Sequence, residues 1–382
     1  MTSDYLTPNQ IHDALNVRDL SDPAQGQHAM QLILDDVVTA LTEMWEIPAR
    51  EHRTSALTSV DDNYDRLGYS PDAVTRDRRY SRYVSPTVML RSHTTAVIPQ
   101  ILADLTHAER SQALNAADRD TLHVVPGLVY RRDAIDRTHV GEPHQVDLWR
   151  IARRAPLGAD DLQQLAATVV EAVLPGATWR AVPSRHPYTV AGLQIDVLAE
   201  GQWLELAECG IADPAVLQRR QLNPGRWTGL ALGMGLDRAL MLRKRITDIR
   251  VLRSDDPRVA EQLRDLAPWR PVSTLPPIRR DLSVVVDEGS DEETIGDAVR
   301  TALGSDVDAL ESVEVLSWTR YASLPVAARE RLALQPDQAN ALLRITLRPL
   351  STTMTDAEAN AVRDAVYRAV HVGPVLELIG SR

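Results

Sequence analysis

Phenylalanine is absent from this 382-residue chain, lysine occurs once, at Lys244, and cysteine once, at Cys209. A single cysteine excludes an internal disulfide and a cysteine-rich metal centre. No apolar run approaches the roughly 20 residues needed to cross a bilayer, and the opening "MTSDYLTPNQ" has neither the basic nor the apolar region of a secretory signal. These absences predict a soluble, cytoplasmic protein with no membrane partner. A formal net charge of −11 argues against general affinity for nucleic acid but leaves room for a local basic surface. A GC-rich gene would favour arginine over lysine and thin out phenylalanine. Yet 15 isoleucines persist, and their codons are AT-rich too. Base composition alone therefore does not explain a complete absence.

The length and a 44% hydrophobic content support two domains. Residues 1–27 are polar and rich in turn-formers, which predicts a loosely packed N-terminal arm. Residues 28–264 mix helical and strand periodicities: "AMQLILDDVVTALTEMW" and "DDLQQLAATVVEAVL" read as amphipathic helices, and "LQIDVLAEGQWLELAEC" as a hairpin turning at "AEG". Residues 265–278 hold four prolines and predict a stiff linker. From 279 to 382 the pattern is β-α-β-β-α-β, ending on "VLELIGSR" as a strand, the order of a ferredoxin-like α+β sandwich.

The stretch "GLALGMGLDR" (229–238) carries three glycines and an arginine, yet fits neither a dinucleotide fingerprint nor a P-loop. Two readings stand. One is a strand whose glycines let a flat ligand lie on the backbone, followed by a helix with an arginine in its first turn. The other is a tightly packed strand-to-helix turn.

Several segments, taken in order, decide between them by resemblance. "MLRSHTTAV" (89–97), "GLVYRRD" with "THVGEPHQVD" (127–147), "WLELAECGIADPAVL" (203–217) and "GLALGMGLDRALML" (229–242) resemble the class II core of phenylalanyl-tRNA synthetase. "PPIRRDLSVVV" and "TTMTDAEAN" resemble the ferredoxin-fold anticodon-binding domain of its single-chain, mitochondrial-type form. The implied fold is α+β: an antiparallel class II sheet with flanking helices, then the C-terminal sandwich. The implied activity is ATP-dependent formation of an aminoacyl adenylate and transfer of the acyl group to tRNA.

The resemblance assigns roles to residues. Arg131 would hold the α-phosphate and the amino-acid carboxylate, and Arg238 the γ-phosphate, since guanidinium matches phosphate geometry. Asp133, His139, Pro143, Gly233 and Gly235 would complete the ATP site, with Pro143 where a phenylalanine usually stacks on adenine. Glu205 would help hold Mg²⁺. Glu208 stands where the family has glycine, as a further metal ligand, a charge in the amino-acid pocket or an outward-turned residue. His93, Thr95, Gln145, Asp147, His186, Tyr188 and Ala231 would line the amino-acid pocket, with Gln145 and Asp147 spaced on one strand face to grip an ammonium. Here "HPYTVAG" replaces a segment with two phenylalanines, so His186 and Tyr188 take the ring positions and Val190 that of a glutamate. Ile98 replaces a glutamine, and Leu230 and Leu232 flank Ala231 in place of phenylalanines. The altered pocket leaves phenylalanine, tyrosine, histidine and a nonproteinogenic aromatic as competing substrates.

Ser55, where class II enzymes place an interface proline, and the fused C-terminal domain predict a monomer. That domain holds twelve arginines against seventeen acidic residues over 270–382, so binding tRNA requires Arg279, Arg280, Arg344 and Arg348 on one face. Two other functions use the same core: a tRNA-independent amino-acid ligase, and a non-catalytic sensor of amino acid or tRNA. The missing phenylalanine has three explanations: the protein is made without drawing on charged phenylalanine tRNA, its pocket forbids the residue, or the chain was engineered to lack it.

Overall fold

The computed structural model describes residues 5–132, 134–154, 157–272, 276–350 and 352–377, which group into two compact units. The first unit comprises Met1–Arg131, Glu142–Ile246 and Leu263–Trp269. Its strands are β1 (Ala49–Glu51), β2 (Leu57–Ser59), β3 (Val88–Leu90), β4 (Asp120–Leu128), β5 (His144–Arg153), β6 (Trp179–Pro183), β7 (Thr189–Ala199), β8 (Gln202–Ala212) and β9 (Trp227–Gly235). Its helices are α1 (Pro8–Leu15), α2 (Ala29–Trp45), α3 (Val60–Asn63), α4 (Ile98–Arg110), α5 (Ala159–Val173), α6 (Pro214–Arg219) and α7 (Leu236–Lys244).

Seven strands form one sheet in the order β1-β4-β5-β9-β8-β7-β6. The sheet is mixed, which corrects the expectation of an antiparallel one: β1 runs parallel to β4, and every other pair is antiparallel. Three exposed residues give β1 no alternation to read, and parallel pairing joins segments far apart in sequence. The β7–β8 hairpin turns where expected, with Glu200 and Gly201 both at positive φ (50° and 79°), the demand of a two-residue type I′ turn.

Alternation along β9 creates the site. Leu230, Leu232 and Met234 are buried on the side of α2, α5 and α7, which pack against one another. Gly229, Ala231, Gly233 and Gly235 therefore face the other way, as a floor almost without side chains. Helix α4 covers one end of that floor: Ile98, Ile101, Leu102 and Leu105 pack with Val125, Trp149, Ile151 and Ala231. A side chain built on Gly235 at the other end meets nothing within 4 Å. Gly210, by contrast, is pressed against Thr189, whose Cβ lies 2.6 Å from where an alanine Cβ would stand. Gly210→Ala is expected to lower stability by about 1–3 kcal/mol through overpacking, with Gly235→Ala close to wild type in thermal melts.

Two stretches are better ordered than their composition predicts. In the N-terminal arm, Thr7 and Gln10 form a capping box that starts α1. Downstream, Leu20 is buried and its amide donates to His144 Nε2 at 2.9 Å. The lone lysine, only 1% exposed, fixes the start of the expected linker: Lys244 Nζ donates to Asp265 O and Ala267 O at 2.8 and 2.6 Å and pairs with Asp265 Oδ1 at 3.0 Å. Residues 263–269 accordingly belong to the first unit.

The second unit comprises Arg132–Gly141, Thr247–Gln262 and Arg270–Arg382. It contains α8 (Pro257–Gln262), β10 (Ile278–Asp287), α9 (Glu292–Leu303), β11 (Leu310–Arg320), α10 (Val326–Leu332), β12 (Gln338–Leu347) and α11 (Asp356–Val370). The strands form an antiparallel sheet in the order β10-β12-β11. Its core gathers Leu282, Val284, Val299, Leu343, Ile345, Val366 and Tyr367. The expected final strand is not formed over Val375–Glu377, and the rest of "VLELIGSR" lies outside the described residues. Residues 132–141 and 247–262 fall within the expected first domain, yet they group here. Ile135 is buried in this core, Val313 N donates to Ile135 O at 2.9 Å, and Ile249 N to Arg137 O at 2.8 Å. Among the described residues no helix is long and apolar enough to cross a membrane.

Candidate active site

The register row through Gly233 organises the site. Asp147 on β5 pairs with Gly233 on β9, which pairs with Glu208 on β8. Both carboxylates rise from the face that bears the bare floor.

Asp147 is 1% exposed and has a donor for each lone pair. Thr94 and Thr95 hydroxyls donate at 2.6 and 2.8 Å, Gln145 Nε2 at 3.1 Å and Trp149 Nε1 at 3.3 Å. Burial pushes its pKa up, against those bonds. It holds Gln145, the two threonines and Trp149 in place, and both members of the expected ammonium pair reach the floor. A Cβ on Gly233 would lie 3.4 Å from Gln145 Nε2 and 3.9 Å from Asp147 Oδ2.

Glu208 turns inward, onto two side chains. Its Oε2 accepts from His186 Nε2 at 2.7 Å and its Oε1 from Ser184 Oγ at 3.0 Å. Burial would raise the Glu208 pKa, but the His186 bond and charge, Ser184 and Arg131 hold it below the usual value. The same bond to Glu208 raises the pKa of His186. Glu205 differs: burial and the neighbouring Glu208 charge raise its pKa, while Arg238 and Arg131 both pull it down. A cation beside Glu205 would relieve that repulsion, and Glu205 fits a phosphate-bound Mg²⁺ better than Glu208, whose oxygens are taken. Among the described residues no three acidic, histidine or cysteine side chains cluster as a complete metal cage.

Arg131 and Arg238 both act on Glu205, and neither has a carboxylate partner among the described residues. Arg131 donates from Nε to Ser92 O at 2.9 Å and from Nη2 to Gln145 Oε1 at 3.2 Å. Arg238, third residue of α7, reaches only Glu205 O, at 3.4 Å. Two residues not foreseen from sequence fix its helix. Asp237 accepts from His144 N at 2.5 Å and from His144 Nδ1 at 3.1 Å. Because His144 Nε2 accepts from Leu20, its tautomer is set, and the pair ties the start of α7 to the start of β5.

The pocket wall is aromatic. Tyr69 stacks on His93 with centroids 5.6 Å apart, and Tyr188 lies 6.3 Å from Tyr69, 6.0 Å from Trp149 and 5.6 Å from His186. Trp149, fully buried, pairs across the sheet with Ala231, which pairs with Gly210, so Ala231 lies beneath a roof of rings. Sequence reasoning passed over Tyr69, Thr94 and Trp149. Thr94 beside Thr95 and Trp149 two residues past Asp147 were the only local signals.

Other expected residues stand apart. Leu230 and Leu232 point away from the floor, as strand neighbours of Ala231 must. Ile98 belongs to the apolar cluster and Val190 is exposed. Half-buried Pro143 accepts from Val129 N at 2.9 Å just before β5. His139 belongs to the second unit, where its Nδ1 lies 2.7 Å from Asp136 Oδ2 and 3.1 Å from Thr138 Oγ1. Against burial, the bonds from His139 and Thr138 bring Asp136 down to about 2. Asp133 lies outside the described residues.

Buried histidines make the first unit acid-sensitive. Burial lowers His93 and His123 to about 3. Each folded value lies below the unfolded one near 6.5, so the unfolded chain takes up the proton first. Stability present above pH 6.5 is lost as pH falls toward 3, by at most about 1.4 kcal/mol per pH unit for each histidine. Thermal melts between pH 7.5 and 5 should show that slope, and His123→Gln should flatten it.

The family model described as tRNA synthetases class II core domain (F) matches residues 16–263. The chain is 34% identical over 200 residues to a protein named phenylalanine–tRNA ligase alpha subunit from Prochlorococcus marinus (strain MIT 9313). It is 32% identical over 200 residues to the proteins of that name from Nostoc punctiforme and Acaryochloris marina. Each match covers 52% of this chain and 56% of the relative, so the chain spans about half the length of the curated relatives it matches. With most of its length under the family model and a glycine floor flanked by two arginines, the chain belongs to the class II tRNA synthetase family of the phenylalanyl type.

Proposed function

We propose that the protein is an ATP-dependent ligase that activates phenylalanine or a related aromatic amino acid and transfers it to tRNA. One observation carries the reading: Arg131 and Arg238, without carboxylate partners among the described residues, converge on Glu205 beside the bare floor at Gly233 and Gly235. The adenine lies over Gly235 and the phosphates between the two guanidiniums. The amino acid sits over Gly233 with its ammonium at Gln145 and its carboxylate toward Arg131. A carboxylate oxygen attacks the α-phosphorus, the bond to the bridging oxygen of the β-phosphate breaks, and pyrophosphate leaves. The arginines lower the barrier by meeting negative charge as it develops. Glu205 would help hold a phosphate-bound Mg²⁺, which would supply further neutralisation.

The second unit supports transfer to tRNA only in part. Its β10-β12-β11 order favours a ferredoxin-like sandwich whose last strand is not formed among the described residues, and after α11 the chain returns to β10, where Val372 N donates to Val285 O at 2.9 Å. The arginines expected to meet tRNA are largely neutralised, however. Arg344 is held by Asp281 at 2.8 and 2.9 Å, Arg280 by Asp356 at 2.7 Å and Arg348 by Glu311 at 2.6 Å. They are not gathered on one face either: Arg280 and Arg279 are strand neighbours and point to opposite sides. This favours, as a second reading, a ligase that hands the same adenylate to an acceptor other than tRNA. Although the relatives are named alpha subunits, the fused second unit supports a monomer, which light scattering would test. Transfer of labelled amino acid to total tRNA in the presence of ATP decides between the readings. Acid-precipitable product supports the synthetase, and adenylate released without product supports the ligase.

A further inference from the structure

Two carboxylates flank Gly233, and their surroundings differ in kind. Strands in a sheet lie about 4.8 Å apart, so Asp147 and Glu208, each one strand from Gly233, rise about 10 Å from one another across a floor without side chains. On the near side, Asp147 is saturated by four donors and positions Gln145. On the far side, Glu208 is paired with a histidine whose side chain remains 15% exposed. The neighbouring row is closed, because Trp149 and Tyr188 pack in one cluster with Ala231 and Thr189 presses on Gly210. A substrate gripped at Gln145 and lying over Gly233 therefore meets His186 and Glu208 with its side chain, and an apolar recess beyond Ala231 is not open to it.

We propose that the His186–Glu208 pair is a specificity element, selecting an aromatic amino acid whose ring carries a hydrogen-bond donor, such as a phenolic hydroxyl, over phenylalanine. The proposal rests on the adenylation reading above and narrows its substrate. The chemistry follows from one bond. A carboxylate can only accept, so the 2.7 Å contact places the proton on His186 Nε2. In the neutral ring Nδ1 is then an acceptor, and among the described residues nothing occupies it. A phenol donates to Nδ1 while Glu208 keeps the ring oriented and basic. Phenylalanine offers only C–H bonds there and covers a polar pair that it cannot satisfy, the arrangement in which sites reject an analogue lacking the hydroxyl. Protonation does not reverse the preference, since His186 charged on both nitrogens donates from Nδ1 and the phenol oxygen accepts. The Glu208 bond raises the pKa of His186, so both forms are present near neutral pH.

The test is calorimetric titration of the full chain with L-tyrosine, L-phenylalanine and p-amino-L-phenylalanine, repeated for His186→Phe and Glu208→Gln. Wild type is expected to bind tyrosine about ten- to a hundredfold more tightly than phenylalanine. His186→Phe should bring that ratio to one or below, and Glu208→Gln should reduce it. Retained melting temperatures separate the effect from a structural salt bridge. Equal or tighter binding of phenylalanine by wild type, an unchanged ratio in His186→Phe, or no binding of any of the three would overturn the proposal. Preferential binding of tyrosine without tyrosine-dependent ATP–pyrophosphate exchange upholds the selectivity and overturns the adenylation reading instead.

Discussion

Replacement of Arg238 by alanine is expected to reduce amino-acid-dependent ATP–pyrophosphate exchange by about 10²–10³-fold, the usual loss when one preorganised group facing developing charge is removed. The same change should not cost stability. Arg238 stands in the first turn of α7, and its only bond among the described residues is a long one, 3.4 Å, to Glu205 O. A cation at a helix N-terminus opposes the macrodipole, so its removal should stabilise the helix by about 0.3–1 kcal/mol. Rate and stability thus move in opposite directions, an outcome that a merely structural arginine does not produce. Paired exchange assays and thermal melts on the variant read both quantities. A loss of exchange that tracks a loss of folded protein would remove Arg238 from the phosphate site.

Asp147→Ala has the largest expected effect on folding, about 3–5 kcal/mol, because it strands donors that have no route to water. Thr94, Thr95 and Trp149 are themselves buried, and Trp149 is fully so. The hydroxyls can rotate toward backbone carbonyls, but the indole N–H is fixed by packing against Ala231 and Tyr188. Asp147→Asn retains one acceptor and should recover part of the loss. The sign of the charge effect is instructive. Burial raises the Asp147 pKa, so the folded state holds this proton more readily than the unfolded state. The stability it contributes is therefore present at low pH and fades as pH rises past the unfolded value near 3.8. At neutral pH the ionised Asp147 costs free energy, which its ordering of Gln145 and the threonines offsets. Denaturant titrations of the three proteins give the stabilities directly.

How much of this was legible beforehand depended on range along the chain. The β7–β8 hairpin, the strand-to-helix step at Gly235 and the first-turn arginine follow from neighbours within a few residues, and the structure has them as read. The glycine floor was also legible, because alternation on one strand puts Gly229, Ala231, Gly233 and Gly235 on one face. The same rule removes Leu230 and Leu232 from the pocket. Partners across the fold were not legible. His186, in the loop before β7, finds Glu208 on β8, 22 residues away, and Tyr69 reaches the wall from a loop with no pattern of its own. The place of residues 132–141 was hidden too, since Ile135 carries no sign of which core it enters.

The missing phenylalanine now divides into two cases. At His186 the substitution has a chemical reason in the pocket. Leu230 and Leu232 are buried on the opposite face, and Tyr130 hydrogen-bonds to Ala14 O at 3.1 Å, away from the floor. No substrate contact explains those positions. An absence that extends to them is what synthesis without charged phenylalanine tRNA predicts, and equally what a chain engineered to lack the residue would show.

The most direct measurement is exchange of labelled pyrophosphate into ATP by the full chain, with each aromatic amino acid supplied in turn. Formation of an adenylate on the Gly233 floor between Arg131 and Arg238 predicts exchange that requires an amino acid and collapses in Arg238→Ala. Folded protein that shows no exchange with any of them, or exchange that survives loss of Arg238, would contradict it.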